Sequence, residues 1–411
     1  MLVAVVTYLS MGDMGFVAAA GREMSMRSSA GNKEGALSVF QSTWVLLLLI
    51  SFVAFSLALC LADTLWLRDL LGISSIRPDE GGTLIMLLLL YVLIGFQGDL
   101  FIGGFWCTGR YPLGIFWSAI AQLLEFGGLV AALITGGGPI QAATNYMLGR
   151  LLATTLTWVS MRRTASWLKF GISHARLAEI KRLFVPALAS LFFPIGNALN
   201  IQGLRLVVGI VLGPSMVAVF TPMRTLSRFA IQPVATINRV LEPELSMAFG
   251  RRDKTMFTDL LTHACQIALW TGLAACLFLA LISNWMFPLW TGGKIAINWP
   301  LYTLLLLTAA LNATWYTAII APYATNRHER IGLVYCLIYG GVTVVAGYAG
   351  VVSTGLIGVG IALLAVEIIM ALCVIPTVLK FIDRPWNAWF RVVIKPPTFL
   401  VHYFMAVIRR D

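Results

Sequence analysis

Apolar residues in this chain are concentrated in long runs that polar stretches interrupt only briefly. A helix needs about 20 mostly apolar residues to cross the hydrocarbon core of a bilayer. Runs of that length recur throughout the sequence, and the stretches between them are too short for a soluble catalytic domain. The pattern predicts an all-α, polytopic membrane bundle of about eleven transmembrane helices. The predicted spans are Leu2–Ala20, Leu37–Leu61, Thr83–Cys107, Leu113–Thr135, Ile140–Ser160, Phe184–Leu212, Ser215–Phe249, Leu260–Met286, Leu301–Ala324, Ile331–Val351 and Leu356–Leu379.

Basic residues alternate between the loops. Lys and Arg cluster after the first, third, fifth, seventh, ninth and last spans, whereas the other loops hold only Arg68, Arg77 and Lys294. Because Lys and Arg favour the cytoplasmic side of a membrane, we expect a cytoplasmic C-terminus and an external N-terminus. The alternation holds along the whole chain and supports the predicted spans.

Two short sequence repeats indicate an internal duplication. Residues 23–26 (EMSM) recur as residues 244–247 (ELSM), and residues 108–110 (TGR) recur as residues 325–327 (TNR), at offsets of 221 and 217. The near-equal offsets predict two parallel repeats, as in some transporters. The partner of the span Phe184–Leu212 would lie before Met1, so we expect five spans in the first repeat, six in the second, and a missing first helix.

These features divide the chain into two pseudo-symmetric lobes with basic connecting segments. We expect an N-terminal lobe over residues 1–161 and a C-terminal lobe over residues 184–381. Residues 162–183 interleave aromatic and basic side chains, which is typical of an amphipathic helix on the cytoplasmic surface of a membrane. Residues 382–411 have a similar composition and predict a basic cytoplasmic tail. Both segments are also consistent with ordinary basic flanks of membrane spans.

Composition narrows the classes of function. Hydrophobic residues make up 59% of the 411 residues and charged residues only 11%, which excludes an ordinary soluble domain. The net charge of +11 does not indicate a nucleic-acid partner, because the basic residues lie between apolar runs rather than in one soluble patch. The six cysteines lack CxxC spacing and the four histidines are scattered. We therefore expect no metal, no cofactor and no enzymatic activity.

Residues 222–253 (PMRTLSRFAIQPVATINRVLEPELSMAFGRRD) are unusual because a predicted span carries several charges. Ionised groups at membrane depth usually face a polar interior or a water-filled cavity. On a continuous helix, one face of about 80° would hold the charged and polar side chains. Those side chains are Arg224, Arg228, Gln232, Arg239 and Glu242. A cationic stripe of this kind predicts a pathway for an anionic substrate.

The same segment carries a resemblance to a known family. The sequence RTLSR, then QP, then PELSMAFGRRD resembles the middle of bacterial polysaccharide and O-antigen flippases of the multidrug/oligosaccharidyl-lipid/polysaccharide (MOP) exporter superfamily. Further similar segments are residues 8–15 (YLSMGDMG), 290–293 (WTGG) and 324–328 (ATNRH). The resemblance covers nearly the whole chain apart from the first of the usual twelve helices.

The resemblance implies a two-lobed bundle with a central cavity in the inner membrane. It further implies flipping of undecaprenyl-pyrophosphate-linked oligosaccharides by alternating access, in the biosynthesis of cell-surface polysaccharide such as lipopolysaccharide O-antigen. The partners implied are the lipid-linked oligosaccharide, membrane lipids and polysaccharide assembly proteins. The alternatives are a cation-coupled multidrug antiporter of the same superfamily, and a membrane polysaccharide polymerase or ligase, which would need a large external loop.

Arginines are the candidate substrate-binding residues. A guanidinium group stays charged and binds oxyanions such as a diphosphate in bidentate fashion. We expect Arg205, Arg224 and Arg228 to contact the substrate from the second lobe and Arg150 from the first. The alternative for each is a buried ion pair that holds helices together.

Four intramembrane acids are candidates for ion coupling: Asp13, Asp99, Glu125 and Glu367. Glu125 and Arg150 lie near mid-membrane on consecutive predicted spans. They form either a structural ion pair or a proton- or cation-linked pair that breaks during transport.

Overall fold

The computed structural model describes residues 10–61 and 78–397, and every regular element in those ranges is helical. Two compact units account for the described chain. Unit 1 takes in the described residues up to Leu191 together with Gly250–Arg252. Unit 2 takes in Phe192–Phe249 and the described residues from Asp253 onward. The all-α fold class predicted from the apolar runs is confirmed.

The helices of unit 1 follow the apolar runs closely. In chain order they are α1 (Phe16–Ser29), α2 (Lys33–Leu61), α3 (Pro78–Trp106), α4 (Tyr111–Ile134), α5 (Pro139–Thr164) and α6 (Leu177–Ala198). Of these, α6 continues into unit 2. α5 packs against both α3 and α4, while α1 packs against α2 and α3. Pro139 begins α5 at a position where a missing N–H costs nothing.

Unit 2 contains longer helices together with short irregular ones. Its helices are α7 (Leu204–Leu212), α8 (Pro214–Arg228), α9 (Gln232–Gly250), α10 (Lys254–Thr291), α11 (Trp299–Ala324), α12 (Glu329–Val334), α13 (Thr343–Thr354), α14 (Leu356–Phe381) and α15 (Trp386–Ile394). π-helical segments at Leu199–Gly203 and Tyr335–Val342 join α6 to α7 and α12 to α13. α11 packs against α10 and α14, and α13 packs against α14 and α7.

Eight helical stretches of the described chain have the length and composition of a membrane span. They coincide with eight of the eleven predicted spans. Of the first predicted span, residues 2–9 lie outside the described residues. Residues 140–160 form most of α5, whose several polar side chains lower its hydropathy. Residues 215–249 are divided between α8 and α9.

The predicted amphipathic helix over residues 162–183 is helical only at its two ends, residues 162–164 and 177–183. Residues 165–176 are an irregular segment with turns and a bend, and α6 begins only after them. The Arg162 guanidinium stabilises this irregular segment by donating to the carbonyl oxygens of Ser166 and Leu168, at 2.9 and 2.7 Å. The Leu168 side chain is fully buried, so this segment packs into unit 1 as well as following its surface.

The basic loop predicted after the first span is also wrong in part. α1 continues to Ser29, so Arg22 belongs to a helix and its side chain is fully buried. Its Nε donates to the Ala18 carbonyl oxygen at 3.1 Å, and its Nη2 donates to Ser190 Oγ at 3.0 Å. These hydrogen bonds stabilise the buried Arg22 guanidinium, which the sequence pattern predicts to lie in a solvent-exposed loop.

The two units share a helix register. Lys33 and Lys254, which begin α2 and α10, are 221 residues apart. Ser29 and Gly250, which end α1 and α9, have the same separation. α5 and α14 are both 26 residues long, and their ends are 217 residues apart. The offsets of the short sequence repeats therefore also relate the boundaries of long helices.

The turns after α3 and α11 are built alike. Gly109 and Asn326 occupy equivalent positions, and both have left-handed backbones, with φ of 68° and 55°. The N–H groups of Arg110 and Arg327 each donate to the carbonyl oxygen five residues earlier, at 3.1 and 2.9 Å. Asparagine tolerates the left-handed region better than most residues other than glycine, which explains how it replaces Gly109 in the second turn.

Candidate functional site

A small basic cavity lies inside unit 2. α8 contributes Arg224 and Arg228, α14 contributes Glu367, and the two π-helical segments contribute Asn200 and Tyr339. π-helical turns are rare and occur frequently at functional sites. Here they bring together two polar residues that are 139 positions apart in sequence, since the Asn200 amide donates to the Tyr339 carbonyl oxygen at 3.0 Å.

Close helix packing makes this juxtaposition possible. A Cβ on Gly340 would lie 3.0 Å from the Gly196 Cα, and a Cβ on Gly196 would lie 2.8 Å from the Tyr335 ring. The two glycines therefore let the segment around Asn200 approach the segment around Tyr339. The volume of the cavity is about 20 Å³, which is room for about one water molecule.

Arg224 is the most deeply buried cation of the cavity. The whole residue is only 3% exposed. Nη2 donates to both the backbone oxygen and the Oδ1 of Asn200, at 2.9 and 2.5 Å. The guanidinium carbon lies 5.6 Å from the centre of the Phe220 ring. Nη1 makes no hydrogen bond within the described chain, so one buried donor remains available.

Arg228 and Arg205 differ in their relation to this cavity. Arg228 lines it, and its Nη2 donates to Asn197 Oδ1 across a long contact of 3.4 Å. Arg205 lies on α7, outside the cavity lining, and its Nη1 donates to Gln202 Oε1 at 3.2 Å. Of the three arginines predicted in this lobe, Arg224 and Arg228 therefore share a cavity, and Arg205 does not line it.

Glu367 supplies the negative charge of the same cavity. The residue is 4% exposed, and its carboxylate accepts hydrogen bonds from Trp315 Nε1 at 2.7 Å and from Asn312 Nδ2 at 3.3 and 3.4 Å. Both donors lie on α11. The two arginines and one carboxylate leave the cavity with a formal charge of +1, counted on these three side chains.

The predicted cationic stripe over residues 222–253 is not carried by one continuous helix. A 3-10 turn at Phe229–Ile231 separates α8 from α9. Pro233 has no N–H to donate to the Phe229 carbonyl oxygen, which weakens the helix at this point. Gln232 and Arg239 are exposed, whereas Arg224 and Arg228 line the cavity. The structure therefore places Arg224 and Arg228 in the cavity and leaves Gln232 and Arg239 outside its lining.

A second ionic cluster lies inside unit 1. Arg150 on α5 contacts Glu125 on α4 at 3.0 Å and Asp99 on α3 at 3.5 Å. The Tyr91 hydroxyl donates to Glu125 at 2.9 Å, and the Arg150 guanidinium lies 5.6 Å from the Tyr91 ring centre. Tyr91 also stacks on Tyr146 at 4.5 Å. The cluster joins three helices around one guanidinium group.

The cavity beside this cluster is larger, with a volume of about 200 Å³. Asp99, Gln122 and Arg150 line it. The Asp99 side chain is 54% exposed although it lies within a long apolar helix. A carboxylate at that depth faces a polar or water-filled space. Asp13, the fourth acid predicted for ion coupling, instead accepts from the N–H groups of Gly15 and Val17, both at 3.2 Å, at the start of α1.

Several residues of the two clusters were not predicted from the sequence: Tyr91, Asn200, Asn312, Trp315 and Tyr339. Two of them, Asn200 and Asn312, are amides within otherwise apolar runs. A buried amide needs hydrogen-bond partners, so these two could have been recognised as members of polar clusters. The aromatic residues carry no comparable signal.

No family model matches the sequence, and no curated protein matches it. Solved structures match its fold. A MATE transporter in the bent conformation aligns with a TM-score of 0.81 at 17% identity, covering 96% of this chain and 88% of that one. An outward-facing multidrug resistance MATE transporter of the MOP superfamily aligns with a TM-score of 0.78 at 16% identity, covering 93% and 86%.

A third matching structure is that of a transporter with an unusual binding pocket. It is a MOP superfamily transporter from Pyrococcus furiosus, described as having a binding pocket of reverse polarity, and it aligns with a TM-score of 0.76 at 17% identity. The alignment covers 92% of this chain and 86% of that chain. The chain described here is therefore a multi-pass membrane protein with the fold of the MATE transporters of the MOP superfamily.

Proposed function

We propose that the protein flips lipid-linked oligosaccharides, carried on undecaprenyl pyrophosphate, across the inner membrane by alternating access. The observation that supports this proposal is the pair Arg224 and Arg228 in one buried cavity with an unsatisfied guanidinium N–H. Two guanidinium groups can bind the two phosphates of a diphosphate through charge-assisted hydrogen bonds. The proposal includes a cytoplasmic C-terminus and a role beside polysaccharide assembly proteins.

The size of the cavity bears on the mechanism. A space of about 20 Å³ cannot hold a diphosphate. The helices around Arg224 must therefore separate before substrate binds, as alternating access requires. The π-helical segments at Leu199–Gly203 and Tyr335–Val342 are suited to such a change, because π-helical turns are irregular interruptions of α-helices that occur frequently at functional sites.

The proposed roles of the four arginines differ. Arg224 and Arg228 bind the diphosphate. Arg205 lies outside the cavity lining and has a neutral partner in Gln202, so we assign it a secondary role in which it reorients toward the substrate. Arg150 is held by two carboxylates, and we assign it mainly to the structure of unit 1.

The proposal is tested by a flipping assay in proteoliposomes. The substrate is a fluorescent oligosaccharide on a polyprenyl diphosphate, and a membrane-impermeant quencher reports its leaflet. Each charge-assisted hydrogen bond contributes about 1.5–3 kcal/mol. We therefore expect Arg224→Ala with Arg228→Ala to flip at least roughly tenfold more slowly than wild type. Arg239→Ala, on the exposed face of α9, is the matched control and should flip normally.

Two results would contradict the proposal. Flipping by the double variant at the wild-type rate would exclude the assigned role of the arginines. Absence of flipping by the wild-type protein, together with export of cationic drugs, would exclude the substrate class.

The second candidate function is a cation-coupled multidrug antiporter. Its support is the likeness in fold to MATE multidrug transporters and the half-exposed Asp99 carboxylate in the unit 1 cavity. An organic cation would be drawn to that carboxylate. Ethidium export that Asp99→Asn abolishes, and that Arg224→Ala leaves unchanged, would favour the antiporter over the flippase.

A further inference from the structure

We propose that the corner between α14 and α15 binds the headgroup of one anionic phospholipid, whose acyl chains lie along α14. A cavity of about 500 Å³ opens at this corner. Lys380 and Pro376 from the end of α14, Asp383 and Arg384 from the connection, and Trp386 from α15 line it. This site is separate from the two ionic clusters within the units.

The charges of the corner leave one cation for a ligand. Arg384 is already engaged, since its Nη2 donates to Asp259 at 3.1 Å and its Nη1 to Thr262 at 3.3 Å. Asp383 has its own counter-ion in Lys254, at 3.9 Å. Lys380 is exposed and forms no ion pair with any described residue. One available ammonium group matches the single charge of a phosphodiester, which is the headgroup linkage of an anionic phospholipid.

One face of α14 leads to the corner and can pack against acyl chains. Ile369, Cys373, Pro376 and Lys380 follow one another at intervals of three or four residues, so they lie on one face of α14. Ile369 and Cys373 are exposed. Ile369 lies eleven residues before Lys380, or about 16 Å along the helix. That distance extends from a headgroup at Lys380 well into the hydrocarbon region of a bilayer.

α15 fixes the orientation of the corner at the membrane surface. Trp389 and Val393 are buried and face α10, against which α15 packs. Trp386, Phe390 and Ile394, at intervals of four residues, are exposed, and the first two stack with ring centres 5.8 Å apart. An amphipathic helix with exposed aromatic residues lies in the headgroup region of a membrane. The exposed face thus continues the lipid-facing surface of α14.

A bulk phospholipid fits this corner better than a diphosphate lipid does. A diphosphate carries more negative charge than one ammonium group neutralises, and Arg384 could respond only by leaving Asp259 unpaired. A free phosphate would use Lys380 but leave the exposed stripe on α14 unfilled. The ligand chemistry is therefore a phosphate monoanion joined to long acyl chains.

The test is native mass spectrometry of the full chain, released from detergent after titration with defined lipids. The probes are phosphatidylglycerol and phosphatidylcholine with identical acyl chains, undecaprenyl pyrophosphate, and glycerol 3-phosphate. We expect the wild-type chain to bind phosphatidylglycerol about fivefold or more tightly than phosphatidylcholine, which is the effect of one basic residue near an anionic lipid. Lys380→Glu should abolish this preference, and Lys380→Gln should reduce it.

Lys294→Glu is the matched control, because Lys294 is an exposed lysine in unit 2 between α10 and α11. It should bind both phospholipids as the wild-type chain does. The proposal is overturned if Lys380→Glu keeps the preference or if Lys294→Glu loses it equally. It is also overturned if glycerol 3-phosphate or undecaprenyl pyrophosphate binds in a Lys380-dependent way and phosphatidylglycerol does not. Lys380 is exposed, so unchanged thermal unfolding of both variants checks their folding.

Discussion

Arg150 and Glu367 occupy the same register position in the two units. Each is the twelfth residue of a 26-residue helix, α5 or α14, and the two are 217 residues apart. Each anchors the ionic cluster of its unit, but with opposite sign. Arg150 contacts the carboxylates of Glu125 and Asp99, whereas Glu367 lies in a cavity with two arginines. The same register position therefore carries a charge in both units, but the sign of that charge differs.

The residues that face Arg150 and Glu367 differ in size between the two units. Asn312 and Trp315 donate to Glu367, and the residues 217 positions before them are Gly95 and Gly98. A Cβ on Gly95 would lie 2.7 Å from Arg150 Nη2, and a Cβ on Gly98 would lie 2.9 Å from Thr154 Oγ1. The long Arg150 side chain thus requires the absence of a side chain at Gly95 on α3. The shorter Glu367 side chain is instead reached by the larger hydrogen-bond donors Asn312 and Trp315 on α11.

Replacing Gly95 by the residue found at its equivalent position should displace Arg150. In Gly95→Asn, the new side chain would occupy the space of the guanidinium group, which two carboxylates hold in place. We expect a loss of stability of about 2 kcal/mol, in the range for overpacked buried sites. The measurement is the thermal unfolding temperature of the purified protein in detergent. Gly127→Asn on α4, where a Cβ would meet nothing within 4 Å, is the control and should leave that temperature unchanged.

Breaking the Arg150–Glu125 ion pair by replacing only Arg150 should destabilise the protein more than removing both charges of the pair. Arg150→Met leaves the Glu125 carboxylate buried without its cation, and breaking a buried pair in this way costs about 3–5 kcal/mol. Arg150→Met combined with Glu125→Gln removes both charges of this pair and should recover most of that loss, because the remaining carboxylate of Asp99 is half-exposed. Thermal unfolding of the two variants measures the difference. Equal destabilisation by both would show that the charges do not interact strongly.

Hydropathy predicted the helices well because burial in lipid determines the composition of each span. It also identified Arg224, Arg228, Glu125 and Arg150, because charges are rare within apolar runs. It did not predict the partners of these residues. Asn200 and Tyr339 meet through two π-helical segments, and no composition signal marks such turns. The sequence pattern likewise treats residues 215–249 as one α-helix, whereas the structure has a 3-10 turn at Phe229–Ile231 beside Pro233.

Neutralising Glu367 should strengthen anion binding in unit 2. Glu367→Gln keeps a side chain that can accept a hydrogen bond from Trp315, but it raises the formal charge of the cavity by one. We expect methylenediphosphonate to bind roughly tenfold more tightly, equivalent to about 1.4 kcal/mol. Isothermal titration calorimetry measures the affinity, and Glu34→Gln at the exposed start of α2 serves as the control. Weaker binding by Glu367→Gln would contradict a net repulsion between Glu367 and the ligand.

A charged network at the ends of α1 and α6 should contribute more to stability than an exposed ion pair does. Arg27 donates to both carboxylate oxygens of Glu179, at 2.8 and 2.7 Å, and its Nε donates to Glu23 at 2.8 Å. Burial acts to lower the pKa of Arg27, but hydrogen bonds and charges from Glu179 and Glu23 outweigh burial and raise that pKa. Arg27 is therefore charged at every pH at which the protein is handled.

The comparison of two single substitutions tests this network. The Arg27 and Glu179 side chains are 13% and 15% exposed, whereas those of Lys254 and Asp383 are 91% and 84% exposed at 3.9 Å. Glu179→Gln removes one charge from a bidentate, partly buried pair, so we expect a loss of about 2–3 kcal/mol. Lys254→Gln breaks an exposed pair and should cost less than about 1 kcal/mol. Thermal unfolding at low and high salt separates the two, since salt should weaken only the exposed pair appreciably. Equal effects of both substitutions would show that the network around Arg27 is no stronger than a surface contact.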